Sequence, residues 1–243
     1  MSTSQPAEGL LDMSYEEFTK FQMPLYHGPT VSIKIGATTY NVSKTLLCKH
    51  SPYFAKMFNG DFREGKEQLA ELNEIDGVVS NRSFQLLLQW IYLGRFILNK
   101  ESPADLISTM IESARLADML RIANVETQIV EQIRATVLAN PPPDNAWSRS
   151  AETNVHHITP VHVHEATRLP RGHSVRLLVA KAVIDPYLHS DEFKFSDEIR
   201  DVPGFAADVL EELKVSLKSV RLEQYTMCYF KDPFSGAEIR FRQ

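Results

Sequence analysis

The residues of this chain that could hold a metal ion are concentrated in its second half. Six of the eight histidines lie between positions 156 and 189. The pairs His156-His157 and His162-Val163-His164-Glu165 supply imidazole and carboxylate groups, which are the usual ligands of zinc. On a β-strand, His162 and His164 would point to the same side and could share one ion. A metal-dependent enzyme is therefore one class of protein to weigh.

The local sequence favours a helix at these histidines. Thr159-Pro160 is typical of a helix start, because threonine caps the first turn and proline needs no hydrogen-bond acceptor there. On a helix, His162 and His164 would lie about 200° apart around the axis and could not share an ion. We therefore predict that these histidines are solvated or capping residues and that the chain holds no metal.

A second candidate centre pairs Cys48 with the nearby His50, as a thiolate nucleophile would require. Cys48 follows two leucines just before a predicted helix start, a position typical of a small buried apolar residue. The sequence contains no nucleophile elbow, glycine-rich phosphate loop or metalloprotease signature. We predict a protein that is not an enzyme, with no catalytic residues and no cofactor.

Charge and composition narrow the partners and the compartment. The 243 residues include 31 acidic and 26 basic side chains, so a net charge of -5 offers no basic surface for nucleic acid. Two cysteines are too few for a disulfide framework and suit a reducing compartment. No apolar stretch reaches the length of a membrane span, and the N-terminus lacks the features of a signal peptide. We expect a cytoplasmic or nuclear protein whose partners are neither nucleic acid nor membrane.

The first half of the chain has the pattern of a small sheet followed by helices. Alternating apolar residues predict strands near 31–35 and 39–42, joined by a turn at Gly36. Apolar spacings of three and four then predict helices over about 52–59 and 83–93, the first ended by a left-handed Gly60. Further helices are expected from Pro103 and over 125–137, and Ser14 with Glu17 predicts a capping box near the N-terminus. The pattern is that of an α+β fold.

Three consecutive prolines, Pro141 to Pro143, predict a linker because they cannot continue a helix. We accordingly divide the chain into four segments. These are an N-terminal extension (1–27), an α+β domain (28–138), a proline-rich linker (139–154) and a mostly helical C-terminal region (155–243).

Two amphipathic helices are predicted in the C-terminal region, each burying one apolar face against the other. The first face consists of Val175, Leu178, Val179 and Ala182. The second consists of Phe205, Val209, Leu213 and Leu217. Arg168, Arg171 and Arg176 form a local basic group, for which we expect a solvated surface, with an acidic peptide as the alternative ligand.

Several segments of the first half together resemble the BTB/POZ domain. They are Val31 to Gly36 as the first strand, Tyr40 to Leu47 as the second strand and following helix, Ser51 to Phe58, and Phe84 to Gly94. The order and spacing of these segments carry the resemblance, and the helical C-terminal region is similar to that of short fungal BTB proteins. The resemblance implies a small sheet capped by helices and a protein-protein interaction adaptor.

The resemblance also implies a site. Phe62-Arg63-Glu64 lies where cullin-binding members of the family have a hydrophobic residue and a glutamate separated by one position. We expect Phe62, Arg63 and Glu64 to bind a partner, with Phe62 as the anchor, in an adaptor that brings client proteins to a cullin-type ubiquitin ligase. The alternative is a self-associating scaffold or transcriptional cofactor with no cullin contact, in which Phe62-Arg63-Glu64 is an ordinary surface loop.

One departure from the family concerns self-association. The family usually has an aspartate where this chain has Thr30, and that aspartate pairs with a basic residue, here Lys44, near the dimer face. Without the carboxylate, Lys44 lacks its expected partner, and burying it unpaired would be costly. We therefore expect a monomer or a weak homodimer.

Overall fold

The computed structural model describes residues 14–98, 101–143, 153–190, 192–223 and 227–240. It divides into two compact units: the first comprises Met1–Asn99 and Glu112–Gln128, and the second comprises Lys100–Ile111 and Ile129–Gln243. Residues 144–152 of the predicted linker and 1–13 of the predicted extension lie outside the described ranges. Within those ranges, every helix is too short or too polar to cross a lipid bilayer.

A three-stranded sheet forms the base of the first unit. It contains β1 (Thr30–Ile35), β2 (Thr38–Ser43) and β3 (Leu69–Leu72) in the order β2-β1-β3. β1 pairs antiparallel with β2 and parallel with β3. Alternate residues of β1 are buried, as the period of two predicts. The two predicted strands are therefore confirmed.

Helices cover the rest of the first unit. In chain order they are α1 (Tyr15–Glu17), a π-helix (Phe18–Gln22), α2 (Met23–Tyr26), α3 (Lys44–His50), α4 (Pro52–Asn59), α5 (Arg63–Glu67), α6 (Asn81–Leu93), α7 (Pro103–Leu120) and α8 (Glu126–Ala139). Helices α7 and α8 each contribute residues to both units. The helices predicted over 52–59 and 83–93 are confirmed, and with them the α+β class. The predicted N-terminal capping box is also present, because Ser14 and Glu17 exchange hydrogen bonds.

Gly60 ends α4 in a different way from the predicted one. Its φ of -88° and ψ of 177° are extended rather than left-handed. Glycine is needed here for close approach, because a Cβ atom would lie 2.7 Å from the carbonyl oxygen of Lys56. The prediction of a left-handed Gly60 was wrong, although the position of the helix end was right.

The second unit is mostly helical, as predicted, and also contains a sheet that was not predicted. Its helices are α9 (Pro160–Thr167), α10 (Ser174–Ala182), α11 (Ile184–His189), α12 (Ser196–Asp201) and α13 (Phe205–Leu217). Its antiparallel sheet consists of β4 (Arg221–Glu223), β5 (Met227–Lys231) and β6 (Glu238–Arg240), in that order.

The buried face of α13 is rotated from the predicted apolar face. Phe205 and Val209 are buried as expected, but Leu217 is 52% exposed. Leu213 is only half-buried, whereas Asp208, Glu212 and Ser216 are buried. The cause is electrostatic, because Asp208 pairs with Arg176 and Glu212 approaches Lys181, both on the neighbouring α10. The predicted face of α10, in contrast, is fully buried.

Candidate functional site

The first unit contains a groove of about 600 Å³ between α4, the loop that leads to α5, and the end of α7. Its walls carry apolar side chains beside a few charged ones. The lining residues are Pro52, Tyr53, Lys56, Met57, Phe62, Glu64, Met119 and Arg121. A mostly apolar groove with charged groups at its margin has the composition of a protein-binding surface.

A single serine joins the two helices that form the walls. Ser51 caps α4 by accepting a hydrogen bond from the main-chain N–H of Phe54, at 3.2 Å. Its hydroxyl also donates to the carbonyl oxygen of Leu120 at the end of α7, at 2.6 Å. Arg121 then adopts a left-handed φ of 53°, which stops α7 at the groove. The start of α4 and the end of α7 are thus held together.

Two glycines shape the loop that presents Phe62. A Cβ atom on Gly60 would lie 3.0 Å from a ring carbon of Phe62, and one on Gly65 would overlap the carbonyl oxygen of Gly60. The loop therefore folds tightly and turns Phe62 outward. Its side chain is 54% exposed, so its ring is accessible to a partner.

Phe62 and Glu64 of the predicted motif line the same groove. Arg63 is not among the lining residues, and it forms an exposed ion pair with Glu67 at 3.0 Å. Met119 and Arg121 are lining residues that the sequence analysis missed. They follow Phe62 by more than fifty positions, and no local pattern marks them as its neighbours.

Lys44 has a partner, although not a carboxylate. Its ammonium group donates a hydrogen bond of 2.8 Å to the carbonyl oxygen of Phe58, at the end of α4. A cation at a helix C-terminus is favourable because the carbonyl groups there carry partial negative charge. The substitution of threonine for the family aspartate therefore leaves Lys44 hydrogen-bonded within its own unit.

The histidine segment of the second unit forms the predicted helix. Thr159 caps α9 in a reciprocal arrangement with His162, whose Nδ1 accepts from the main-chain N–H of Thr159 at 3.1 Å. His162 is buried, whereas His164 is exposed. Among the described residues, no three His, Cys, Asp or Glu side chains lie close enough to hold a metal ion.

His162 also lies against Ser108, within the second unit, with 2.7 Å between Nε2 and the serine oxygen. This pair is not an activated nucleophile. Because Nδ1 accepts the N–H of Thr159, the ring proton is on Nε2, and Nε2 donates to the serine rather than removing its proton. Burial lowers the pKa of His162 to about 4, so the neutral form prevails near neutral pH.

Two further candidates have structural roles. Burial raises the pKa of the half-buried Cys48 thiol, which disfavours the nucleophilic thiolate. Of the three arginines predicted to share a solvated face, Arg168 and Arg171 are exposed. Arg176 is buried and bonded to Asp208. The prediction was wrong for Arg176, because its acidic partner lies 32 positions away on another helix.

Comparison with known proteins identifies the family to which this chain belongs. The family model of the BTB/POZ domain matches residues 10–136, more than half of the chain. The chain is a member of the BTB/POZ family. Among solved structures it is similar to the BTB domain of human gigaxonin, at 16% identity over 54% of this chain and 98% of that domain, with a TM-score of 0.33. BTB domains are protein-interaction modules and are generally not enzymes.

Proposed function

We propose that this BTB protein is a non-enzymatic adaptor that binds a cullin through the groove around Phe62 and so brings client proteins to a ubiquitin ligase. The observation that carries the proposal is the exposed Phe62 beside Glu64 in one groove. An aromatic anchor that is half-exposed in the free protein gains most when a partner's cleft covers it.

The charges around the groove support a partner surface of mixed polarity. Lys56 and Arg121 contribute positive charge, and Glu64 contributes negative charge. Such charges at the margin of an apolar contact fix its register and increase the rate of association, and salt weakens them. Arg63 already pairs with Glu67 and contributes least to the proposed contact.

We expect Phe62→Ala to weaken cullin binding more than any other single change in the motif. Truncating such an anchor costs about 2 kcal/mol or more, which is roughly thirtyfold in affinity. Glu64→Gln should weaken binding less and mainly at low salt, and Arg63→Ala should leave it nearly unchanged. The measurement is calorimetric titration of each variant with the N-terminal fragment of a cullin that binds BTB adaptors.

The matched control is Ile97→Ala, which removes an equally exposed apolar side chain (54%) of the same unit outside the groove. It should bind the cullin fragment as the wild type does. Circular dichroism confirms that each variant is folded. If the wild type produces no heat, or if folded Phe62→Ala binds as tightly as the wild type, the cullin proposal is wrong and the scaffold alternative is favoured.

A second function, self-association as a scaffold or transcriptional cofactor, is favoured by the N-terminal helices. Phe18, Phe21 and Met23 are exposed (37%, 59% and 44%), although the segment is anchored to its own unit by Tyr26, whose hydroxyl donates to the carbonyl oxygen of Tyr92 at 2.5 Å. Exposed apolar residues grouped on one short segment are typical of an interface. The segment is small, so we propose a monomer or a weak homodimer.

We expect light scattering over a dilution series to show a concentration-dependent average mass that approaches the monomer at low protein concentration. Phe21→Glu should shift the series further toward monomer, because it places a charge at the proposed contact. Lys66→Gln, which lowers the net charge by the same single unit at an exposed position on α5, is the control for net charge. A dimer that persists at nanomolar concentration would contradict the proposal.

A further inference from the structure

The second unit contains a pocket of about 370 Å³ that is unrelated to the groove around Phe62. It lies between α8, the end of α13 and the loop that joins β5 to β6. Two basic side chains line it, together with serines and a short apolar wall. The lining residues are Arg134, Val215, Ser216, Ser219, Lys231, Asp232, Pro233, Phe234, Ser235 and Gly236.

Arg134 and Lys231 lack an acidic partner. In the ranges that the structure describes, neither forms an ion pair, and the Nε atom of Arg134 is buried without a hydrogen-bond acceptor. A buried donor without an acceptor costs free energy, and the guanidinium group remains charged at any physiological pH. Within the described part of the chain, the pocket therefore contains two basic side chains without an acidic partner, and the guanidinium group of one of them has a buried Nε that lacks an acceptor.

Contacts between lining residues hold part of the pocket in place. The guanidinium carbon of Arg134 lies 6.0 Å from the centre of the Phe234 ring, within the range of a cation–π contact. A Cβ atom on Gly236 would lie 3.8 Å from the Cε atom of Lys231, so the lysine side chain passes beside the loop. Phe234 thus helps to fix the guanidinium group of Arg134.

The one carboxylate among the lining residues is fully occupied. Asp232 is completely buried, and its oxygens accept hydrogen bonds from the Asn154 amide at 2.9 Å, from the N–H groups of Phe234 and Ser235 at 3.3 and 2.8 Å, and from the Ser235 hydroxyl. Asp232 stabilises the loop and already has donors around it. Among the described residues, the side-chain donors of the pocket that have no protein acceptor belong to Arg134 and Lys231.

We propose that this pocket binds a phosphoryl group. Arg134 and Lys231 together with Asp232 give the lining a net charge of +1, and a phosphate monoester, at about -1.5 to -2 near neutral pH, supplies the compensating negative charge together with several acceptor oxygens. Its oxygens accept the paired N–H groups of a guanidinium, and lysine adds a second charge. The group can come from free phosphate or from a phosphorylated side chain of a protein.

The test is an NMR titration of the full chain with three probes at constant ionic strength: inorganic phosphate, N-acetyl-phosphoserine amide and N-acetyl-serine amide. We expect saturable shifts of the Arg134 side-chain Nε–H and of the Gly236 amide, with dissociation constants in the millimolar range. The unphosphorylated serine should produce no such shift. Shifts with inorganic phosphate alone would assign the site to the free ion, and tighter binding of phosphoserine would assign it to a protein.

Variants locate the site. Arg134→Gln and Lys231→Gln should each weaken binding about tenfold or more, since each removes a charge-assisted contact. Arg171→Gln, which removes an exposed arginine of the same unit, is the matched control and should bind as the wild type does. Lys231 is exposed, so its variant keeps the test valid even if Arg134→Gln does not fold. The absence of saturable shifts, or binding that survives both substitutions, would overturn the proposal.

Discussion

A variant carrying Asp208→Asn should be less stable than the wild type by about 3–5 kcal/mol, because it leaves the buried charge of Arg176 without a counter-charge. The Nε of Arg176 lies 2.6 Å from Oδ2 of Asp208, and the two side chains are only 8% and 4% exposed. Water cannot replace the lost carboxylate at such burial. Free energies of unfolding from urea denaturation, followed by circular dichroism, measure the loss.

The ion pair between Arg176 and Asp208 is part of a larger set of contacts made by the Arg176 guanidinium group. Arg176 also donates to the carbonyl oxygens of Thr167 and Leu169, at 2.8 and 3.0 Å. Gly204 leaves room for the guanidinium group, since a Cβ atom there would lie 2.7 Å from its Nη2. Arg176 thus connects the end of α9 to the start of α13, and removing it exposes several polar groups to an apolar interior.

Two comparisons separate the loss of the counter-charge from general damage. The double variant Arg176→Met with Asp208→Leu should be less destabilised than the sum of its single changes, because no unpaired charge remains. The control Asp201→Asn breaks a pair with Arg200 of similar length, 2.9 Å, but both its partners are exposed. We expect no measurable change there. An Asp208→Asn variant as stable as this control would contradict the argument.

The secondary structure of the first unit could be predicted because each element carries its own local signal. The period of two from Val31 to Ile35 predicted β1, and the serine-proline start at Ser51 predicted α4. These signals depend on neighbours in sequence, so no knowledge of the fold was needed. Local signals did not predict the backbone conformation of Gly60. That conformation depends on how closely the following loop packs against Gly60.

The parts that the sequence did not predict depend on distant partners. Part of the buried face of α13 follows from Arg176 and Lys181 on α10, so the apolar pattern within α13 predicted the burial of Phe205 and Val209 but not that of Asp208 and Glu212. The sheet of the second unit was missed although a turn signal, Asp232-Pro233, separates two of its strands. Its strands are three to five residues long, too short for a clear alternation.

The residues of the candidate groove also divide into those that the sequence marks locally and those that only distant contacts bring to the groove. Phe62 and Glu64 could be selected because the resemblance to the BTB family marks their position in the chain. Met119 and Arg121 could not, because the hydrogen bond from Ser51 to Leu120 that brings the end of α7 to the groove joins residues 69 positions apart. Only the folded chain shows that the end of α7 forms a second wall of the groove beside Phe62.

The second large effect concerns pH and His162. Burial lowers its pKa to about 4 in the folded protein, whereas an unfolded chain has a histidine pKa near 6.5. Protonation of Nδ1 would also remove the acceptor for the N–H of Thr159 and open the cap of α9. Above pH 6.5 the ring is neutral in both states, so its contribution to stability is then fully present.

As the pH falls from 6.5 to 4, the unfolded state binds a proton that the folded state does not. Stability is therefore lost through this window, by about 3 kcal/mol in total from His162. Burial also lowers the pKa of His50, in the first unit, to about 4, and it adds a loss of the same sign over the same range. Of the charged groups near His162, Lys194 strengthens the shift, and Asp105 opposes it.

Replacement of His162 by glutamine removes the titration, and the variant should lose less stability than the wild type between pH 6.5 and 4, by about 3 kcal/mol. Its stability at pH 7 should be lower, because the cap and the contact with Ser108 are altered. The slope against pH therefore separates the titration from the loss of contacts. Urea denaturation at a series of pH values gives the slope, and the exposed His164→Gln is the control for removing an imidazole from the same helix. Parallel curves for wild type and His162→Gln in this window would show that the buried imidazole does not resist protonation.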